Sequence, residues 1–129
     1  MKPVTAYLSL GSNLGDRESN LAQATMALTI NFDISDIESS SYYETAPLYN
    51  VDQPDFLNSV VKCTTSLKPF DFLDVCKRIE KMLGRSEIRR KNAPRIIDID
   101  ILFHGDAVLE TVELTLPHPM LGVRRFVLI

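Results

Sequence analysis

The sequence predicts an α+β protein with strands and helices in the order βαββαβ and additional strands towards the C-terminus. Its 129 residues are the usual size of one domain, so we expect a single domain over residues 1–129. Hydrophobic residues make up 45% of the chain and charged residues 24%, as in ordinary globular proteins. Stretches of alternating polarity and stretches with helical spacing follow one another in that order, which is typical of a ferredoxin-like sandwich.

The first half of the chain predicts two strands, one helix and a long loop. Residues 4–10 alternate between apolar and polar side chains until the glycines of GSNLGD interrupt them. A helix is predicted over about residues 17–30 from its apolar spacing, and a second strand over residues 34–43. Residues 44–55 contain two prolines and no periodicity, so they predict a loop of the length that is usually functional or disordered.

The second half predicts two strands around the clearest helix of the chain. Residues 56–67 form the first of these strands, and the helix spans residues 68–84, with a proline and acids at its start and Gly84 at its end. The other strand is predicted over residues 96–103, and residues 107–117 predict one or two short edge strands.

The cysteines and the two ends of the sequence lead to predictions about the location and the length of the chain. Cys63 and Cys76 fall in a predicted strand and on the apolar face of a predicted helix, so we expect two core thiols and a reducing, cytoplasmic location. The first residues lack the apolar run of a signal peptide, and no stretch approaches the ~18 apolar residues of a membrane span. The apolar ending RRFVLI predicts a C-terminally truncated chain or the first part of a longer one.

Positive charge is concentrated in one segment. Eight of the fourteen Lys and Arg residues lie within residues 77–95 beside only two acids, although the net charge of the chain is −3. A compact basic segment on an acidic protein indicates a localised anion site, or else a solvated loop. Nucleic-acid binding would more naturally make the whole domain basic, so we expect neither nucleic acid nor membrane as a partner.

The decapeptide PRIIDIDILF, residues 94–103, sets two acids into an apolar strand. Alternation puts Asp98 and Asp100 on one face with Ile96 and Leu102, about 7 Å apart at their Cα atoms, and the other three isoleucines on the opposite face. Such a pair can hold Mg²⁺ through oxygen ligands, although a solvent-facing strand is the alternative. Arg95, beside these acids, would complete a site for a polyphosphate.

Other patterns contribute less. GSNLGD matches neither the Walker nor the Rossmann phosphate loop, and no zinc pattern or nucleophile–base set is present. His118 lies between two prolines, which leaves a structural and a functional role open, and His104 is expected to be incidental.

Six segments in order resemble the 6-hydroxymethyl-7,8-dihydropterin pyrophosphokinase family of folate biosynthesis: LGSNLGD (10–16), YETAPL (43–48), DQPDFLN (52–58), IEKMLGR (79–85), PRIIDIDIL (94–102) and LTLPHPMLGVRRFVL (114–128). The resemblance implies that the β,γ-diphosphate of ATP moves as a unit to the hydroxymethyl oxygen of a reduced pterin, releasing AMP. It further implies two Mg²⁺ ions, and another folate-pathway enzyme that is fused to this chain or acts beside it.

The resemblance also implies a role for each matching residue. The catalytic set is Arg85, Arg95, Asp98 and Asp100, of which the two aspartates hold the metal. The ATP site comprises Glu80, Arg85, Lys91, Arg95, Ile99, Ile101, Thr115, His118 and Arg124. The pterin pocket comprises Gly11, Ser12, Asn13, Thr45, Pro47, Leu48, Phe56, Asn58, Asp98 and Phe126.

The chain departs from the family pattern in three places, and two other functions stay open. Glu87 stands where a further arginine is frequent, Ala46 stands where a second proline is frequent, and KNAPR replaces RWGPR. We also expect the chain to lack the segment that is usual in the family beyond the FVL run. The alternatives are an RNA-binding module that uses residues 85–95 and a Mg²⁺-dependent phosphohydrolase. RNA-reading sheets carry exposed aromatics where this strand carries aspartates.

Overall fold

The computed structural model describes residues 2–47, 52–84 and 96–119, and it has an α+β fold. In chain order the elements are β1 (Val4–Ser12), α1 (Arg17–Thr29), β2 (Ile34–Ser39), β3 (Tyr43–Thr45), β4 (Phe56–Thr65), α2 (Pro69–Met82), β5 (Asp98–His104), β6 (Leu109–Glu110) and β7 (Thr115–Leu116). Strands β1 to β5 form an antiparallel sheet in the order β2-β4-β1-β5, and β3 pairs with β4 beyond the end of β2. The predicted α+β class is confirmed.

The predicted strand over residues 34–43 is two strands, β2 and β3. Serines interrupt it: the Ser40 N–H donates to the Val60 carbonyl at 2.9 Å, and the Ser40 hydroxyl accepts from the Val60 N–H at 2.9 Å. Because a side chain replaces part of the backbone ladder there, the chain stays attached to β4 but is no longer a strand. Glu44 and Thr45, which were predicted to lie in the loop, therefore belong to β3.

One core lies between the helices and one face of the sheet. It combines fully buried strand residues with the inward faces of both helices, among them Leu8, Leu10, Leu21, Leu28, Phe72 and Cys76. Cys63 and Cys76 are both buried and unbridged, so the prediction of two core thiols is confirmed. Burial raises the pKa of Cys63 to about 11 and raises that of Cys76 as well. Neither α1 nor α2 has the length and apolar content needed to cross a membrane.

Strand β5 contains a bulge that breaks its alternation. Ile101 pairs with Leu8 and Phe103 pairs with Tyr7, so Leu102 is one residue too many on β5. The bulge turns His104 to the core side, where it is 2% exposed and its Nε2 lies 2.7 Å from the Leu67 carbonyl oxygen. The His104 ring is therefore part of the core, which is a structural role.

Strands β6 and β7 pair with each other in a separate two-stranded sheet. They do not extend the edge of the main sheet within the described part of the chain. Their position still matters for the site, because β7 leads directly into His118.

Candidate active site

Asp98 and Asp100 stand on the sheet face opposite the helices. Both are half-buried, whereas Ile99 and Ile101 point into the core and are 3% exposed. Across the sheet, Asp98 pairs with Gly11 and Asp100 pairs with Ser9. The two carboxylates thus line the open face of the edge strand β5, side by side.

One row of residues crosses this open face from the acids to β3. Asp98 on β5 pairs with Gly11 on β1, Gly11 pairs with Asn58 on β4, and Asn58 pairs with Tyr43 on β3. Since neighbouring strands lie about 4.8 Å apart, the Cα atoms of Asp98 and Asn58 are separated by about 10 Å. Gly11, which lies between them, is buried and has no side chain.

Gly11 forms the floor of a narrow slot. A Cβ atom on Gly11 would lie 3.1 Å from the Asn58 Oδ1 and 3.4 Å from the Phe56 Cδ1. The slot is therefore bounded by an aromatic ring and an amide on one side and by the carboxylates on the other. An aromatic ring, an amide and carboxylates are groups that can contact a flat ligand with a polar edge.

The Asn58 side chain is fixed through its amide NH2 group, whose two hydrogens are shared among three acceptors. Its Nδ2 donates to the Thr45 hydroxyl at 2.9 Å, to the Tyr43 carbonyl at 3.2 Å and to the Phe56 carbonyl at 3.3 Å. These bonds orient the amide so that Oδ1 faces Gly11 and the slot. A buried amide held in this way presents an acceptor to a ligand N–H group.

Hydrogen bonds fix the connection from β1 to α1, which follows Gly11. The Asn13 Nδ2 donates to the Gln53 Oε1 at 2.9 Å and to the Pro54 carbonyl at 3.2 Å, and the Ser12 hydroxyl accepts from the Asn20 Nδ2 at 3.1 Å. Ser12 and Asn13 are buried. Their polar groups therefore connect the end of β1 with α1 and with residues 53 and 54.

Glu80 lies on the helix side of β5 rather than on the open face. It is 3% exposed, and its Oε2 accepts the Ile99 N–H at 2.7 Å. The Lys77 Nζ lies 3.6 Å from the other carboxylate oxygen. Since the Ile99 side chain is also buried, contacts of Ile99 with a nucleotide would have to come from its main chain.

His118 lies beside the second aspartate. Its Nε2 is 3.8 Å from the Asp100 Oδ1, and its backbone N–H donates to the Leu102 carbonyl at 3.0 Å. Thr115, on β7 before the cis Leu116–Pro117 peptide, is half-buried. The structure thus brings His118 together with the acids, as a functional role would require.

The described residues bring together Gly11, Ser12, Asn13, Thr45, Phe56, Asn58 and Asp98, and Pro47 follows β3 half-buried. Six further predicted site residues, Leu48, Arg85, Lys91, Arg95, Arg124 and Phe126, lie outside the described residues. Sequence reasoning missed Gln53 and Arg17, which contact this region. Gln53 falls inside the segment DQPDFLN, but no spacing rule connects either residue with its partners.

The carboxylate pair suits a metal ion that keeps part of its shell for other ligands. Among residues 2–47, 52–84 and 96–119, no three His, Cys, Asp or Glu side chains cluster as a complete protein cage for a metal. Mg²⁺ usually takes only one or two carboxylates and completes its shell with phosphate oxygens and water. Two half-buried aspartates with oxygen donors on one face fit that pattern.

Comparison with known proteins gives the family. The sequence model of 7,8-dihydro-6-hydroxymethylpterin-pyrophosphokinase (HPPK) matches residues 7–129. A 2-amino-4-hydroxy-6-hydroxymethyldihydropteridine pyrophosphokinase of Bacillus subtilis is 44% identical over 124 residues, which are 95% of this chain and 73% of that protein. The protein of the same name from Haemophilus influenzae is 38% identical over 126 residues, 98% of this chain and 78% of that protein. A folate synthesis bifunctional protein of Arabidopsis thaliana is 41% identical over 121 residues, 94% of this chain but 25% of that protein. As its six ordered segments predicted, the chain belongs to the 7,8-dihydro-6-hydroxymethylpterin-pyrophosphokinase family.

Proposed function

We propose that this protein transfers the β,γ-diphosphate of ATP to the hydroxymethyl oxygen of 6-hydroxymethyl-7,8-dihydropterin, giving AMP and the pterin diphosphate in folate biosynthesis. Family membership supports the reaction. The observation that carries it here is the row from Asp98 through Gly11 to Asn58, which sets a metal-binding type of acid pair across from a slot for a flat ring.

Asp98 and Asp100 are proposed to hold two Mg²⁺ ions together with the phosphates of ATP. When bound, such ions neutralise the charge of the polyphosphate and align it for transfer. Arg85 and Arg95 are proposed to bind the phosphate oxygens, together with His118, which lies beside Asp100, and Thr115 on the preceding strand β7. Phosphoryl transfer depends on positioning and charge more than on a covalent nucleophile, which suits this set of residues.

The pterin is proposed to lie over Gly11. Asn58 would accept a ring N–H through Oδ1, Thr45 would contact the same edge, and the Phe56 ring would cover one face. Phe126 is proposed to cover the other face. With one ring edge at Asn58, the hydroxymethyl group at the opposite end would point towards Asp98.

The remaining ATP-site proposals concern the outer side of β5. Ile99 and Ile101 would contact the nucleotide through main-chain groups, since both side chains are buried. Lys91 and Arg124 are proposed as further nucleotide contacts, and Glu80, whose carboxylate accepts the Ile99 N–H, as a residue of the ATP site. Pro47 and Leu48 are proposed for the pterin side, with Ser12 and Asn13 at its rim.

Three wider proposals accompany the reaction. The βαββαβ core is inferred to be ferredoxin-like, which the strand order β2-β4-β1-β5 supports. A single domain in the cytoplasm is proposed, and the two unbridged cysteines support the cytoplasmic setting. A partner enzyme of the folate pathway, fused or separate, is proposed because the Arabidopsis relative is named a bifunctional folate synthesis protein.

The test measures AMP formation from ATP, Mg²⁺ and the pterin by ion-exchange chromatography. Asp98→Asn and Asp100→Asn are each expected to lower kcat about a thousandfold or more, because each removes a metal ligand. Asp106→Asn, which removes an exposed acid just after β5, is the matched control and is expected to keep full activity. ADP as product, or ATP loss without pterin, would overturn the proposal in favour of a phosphohydrolase.

A further inference from the structure

Arg17 makes two contacts that helix formation does not require. Its Nη1 lies 2.9 Å from the Glu44 Oε2 and 2.9 Å from the Asp55 carbonyl oxygen. Arg17 is the first residue of α1, directly after the N-cap Asp16. A cation at a helix N-terminus is disfavoured by the helix dipole. The stability of α1 therefore does not explain an arginine at this position, whereas the two contacts do.

The two partners of Arg17 each precede a residue of the slot. Glu44 is followed by Thr45, and Asp55 is followed by Phe56. Thr45 and Phe56 pair with each other across β3 and β4. The Arg17 guanidinium thus connects β3 with the residue that precedes β4. Both contacts are adjacent in sequence to Thr45 and Phe56, which are proposed to contact the edge and one face of the pterin.

Strand β3 needs such a support because it is short. It has only three residues and, among the residues that the structure describes, pairs with β4 alone, so few backbone hydrogen bonds hold it. A guanidinium offers several donors in one plane and can bind a carboxylate and a carbonyl together, which an ammonium does less well. A hydrogen bond from the Asn58 amide to the Thr45 hydroxyl secures the same strand from its other side.

We propose that Arg17 is a positioning residue for the pterin pocket, which it supports by fixing Thr45 and Phe56 through Glu44 and the Asp55 carbonyl. The identity of the ligand rests on the proposed function. Without Arg17, β3 and the Phe56 ring have to be ordered when the pterin binds, and this ordering weakens affinity. ATP binding is unaffected, because none of these contacts reaches β5.

The experiment compares steady-state constants for Arg17→Ala, Arg17→Lys and Glu44→Gln. The matched controls are Arg78→Ala, which removes an exposed arginine from α2, and Glu38→Gln, which removes an exposed acid from an ion pair on β2. Arg17→Ala is expected to raise the pterin KM about tenfold, as two partly exposed charge-assisted bonds allow. The ATP KM should stay within about twofold, since a merely local change leaves β5 intact.

The other variants sharpen the assignment. Arg17→Lys should restore part of the pterin affinity, and Glu44→Gln should raise the pterin KM about threefold. Arg17→Ala combined with Glu44→Gln should be no worse than Arg17→Ala alone, because both remove one interaction. Both Arg17→Lys and Glu44→Gln change partly exposed side chains, so they carry the test if Arg17→Ala does not fold.

The outcomes separate this inference from the proposed function. Wild-type protein that forms no AMP and binds no pterin would overturn both. An active wild type with an unchanged pterin KM in the Arg17 and Glu44 variants would overturn only the positioning role. Equal rises in both KM values together with a lower Tm would assign Arg17 to general stability and would also overturn it.

Discussion

The hydrogen bond from Glu80 to Ile99 gives a quantitative stability prediction. Glu80 is 3% exposed and accepts the Ile99 N–H at 2.7 Å, and Ile99 lies between the two site aspartates on an edge strand. Replacing Glu80 by Ala removes a hydrogen bond to a charged group and leaves a buried N–H without its acceptor. Each of these effects is of the order of 1–3 kcal/mol, and they overlap, so we expect the free energy of unfolding to fall by about 3 kcal/mol.

Glu80→Gln and Lys77→Ala are the matched variants. The Gln side chain has the same length and retains an oxygen acceptor, so the free energy of unfolding should fall by only about 1 kcal/mol. Lys77→Ala removes an exposed ammonium 3.6 Å from Glu80. That loss should stay below about 0.5 kcal/mol, because exposed ion pairs contribute little. Urea denaturation followed by far-UV circular dichroism measures all three differences.

The result that would refute this reasoning is a Glu80→Ala protein as stable as Lys77→Ala. Activity adds a second distinction, because the family resemblance expects Glu80 in the ATP site. If Glu80→Gln keeps its stability but loses ATP affinity, the carboxylate contacts the nucleotide directly. If stability and ATP affinity fall together in the order Gln then Ala, Glu80 acts through the position of β5.

Three further predictions concern the slot, the core and the acid pair. Gly11→Ala would put a methyl group 3.1 Å from the Asn58 Oδ1. We expect the pterin Kd, measured by fluorescence titration, to rise about tenfold and the free energy of unfolding to change by less than ~2 kcal/mol. An unchanged Kd would contradict the proposal that the pterin lies over Gly11. Burial raises the pKa of Cys63 to about 11, so the native thiol stays protonated at pH values where an unfolded thiol ionises. The free energy of unfolding should therefore fall as the pH rises from about 9 to 11. The fall should be less steep in the Cys63→Ala protein. His118→Asn should raise the ATP KM and leave the pterin KM unchanged, because its Nε2 lies 3.8 Å from the Asp100 Oδ1; equal changes in both constants would count against a nucleotide role.

Local patterns predicted the helices and most strands, because these depend on neighbours in sequence. The bounds of α2, Pro69–Met82, lie inside the predicted residues 68–84, and α1 ends one residue before the predicted end. The split between β2 and β3 was not predictable, because it depends on how Ser40 meets Val60 on another strand. Backbone partners that distant in sequence leave no local periodicity.

In the site, too, features that depend on sequence neighbours were predictable and contacts between distant residues were not. The spacing of Asp98 and Asp100 predicted a shared face, and the structure agrees. The row through Gly11 and Asn58 depends on the register of three strands, which no single segment specifies. The contacts of Arg17 join residues 27 and 38 positions apart, so they were not predictable either.

The bulge at Leu102 determines which histidine accompanies the acids. With strict alternation, His104 would share the open face with Asp98 and Asp100. The extra residue instead turns His104 into the core, where it contacts the Leu67 carbonyl. The Leu102 carbonyl accepts the backbone N–H of His118, whose ring then lies beside Asp100. Bulges commonly re-aim side chains next to active sites, and this one removes one imidazole from the carboxylate pair while helping to hold another there.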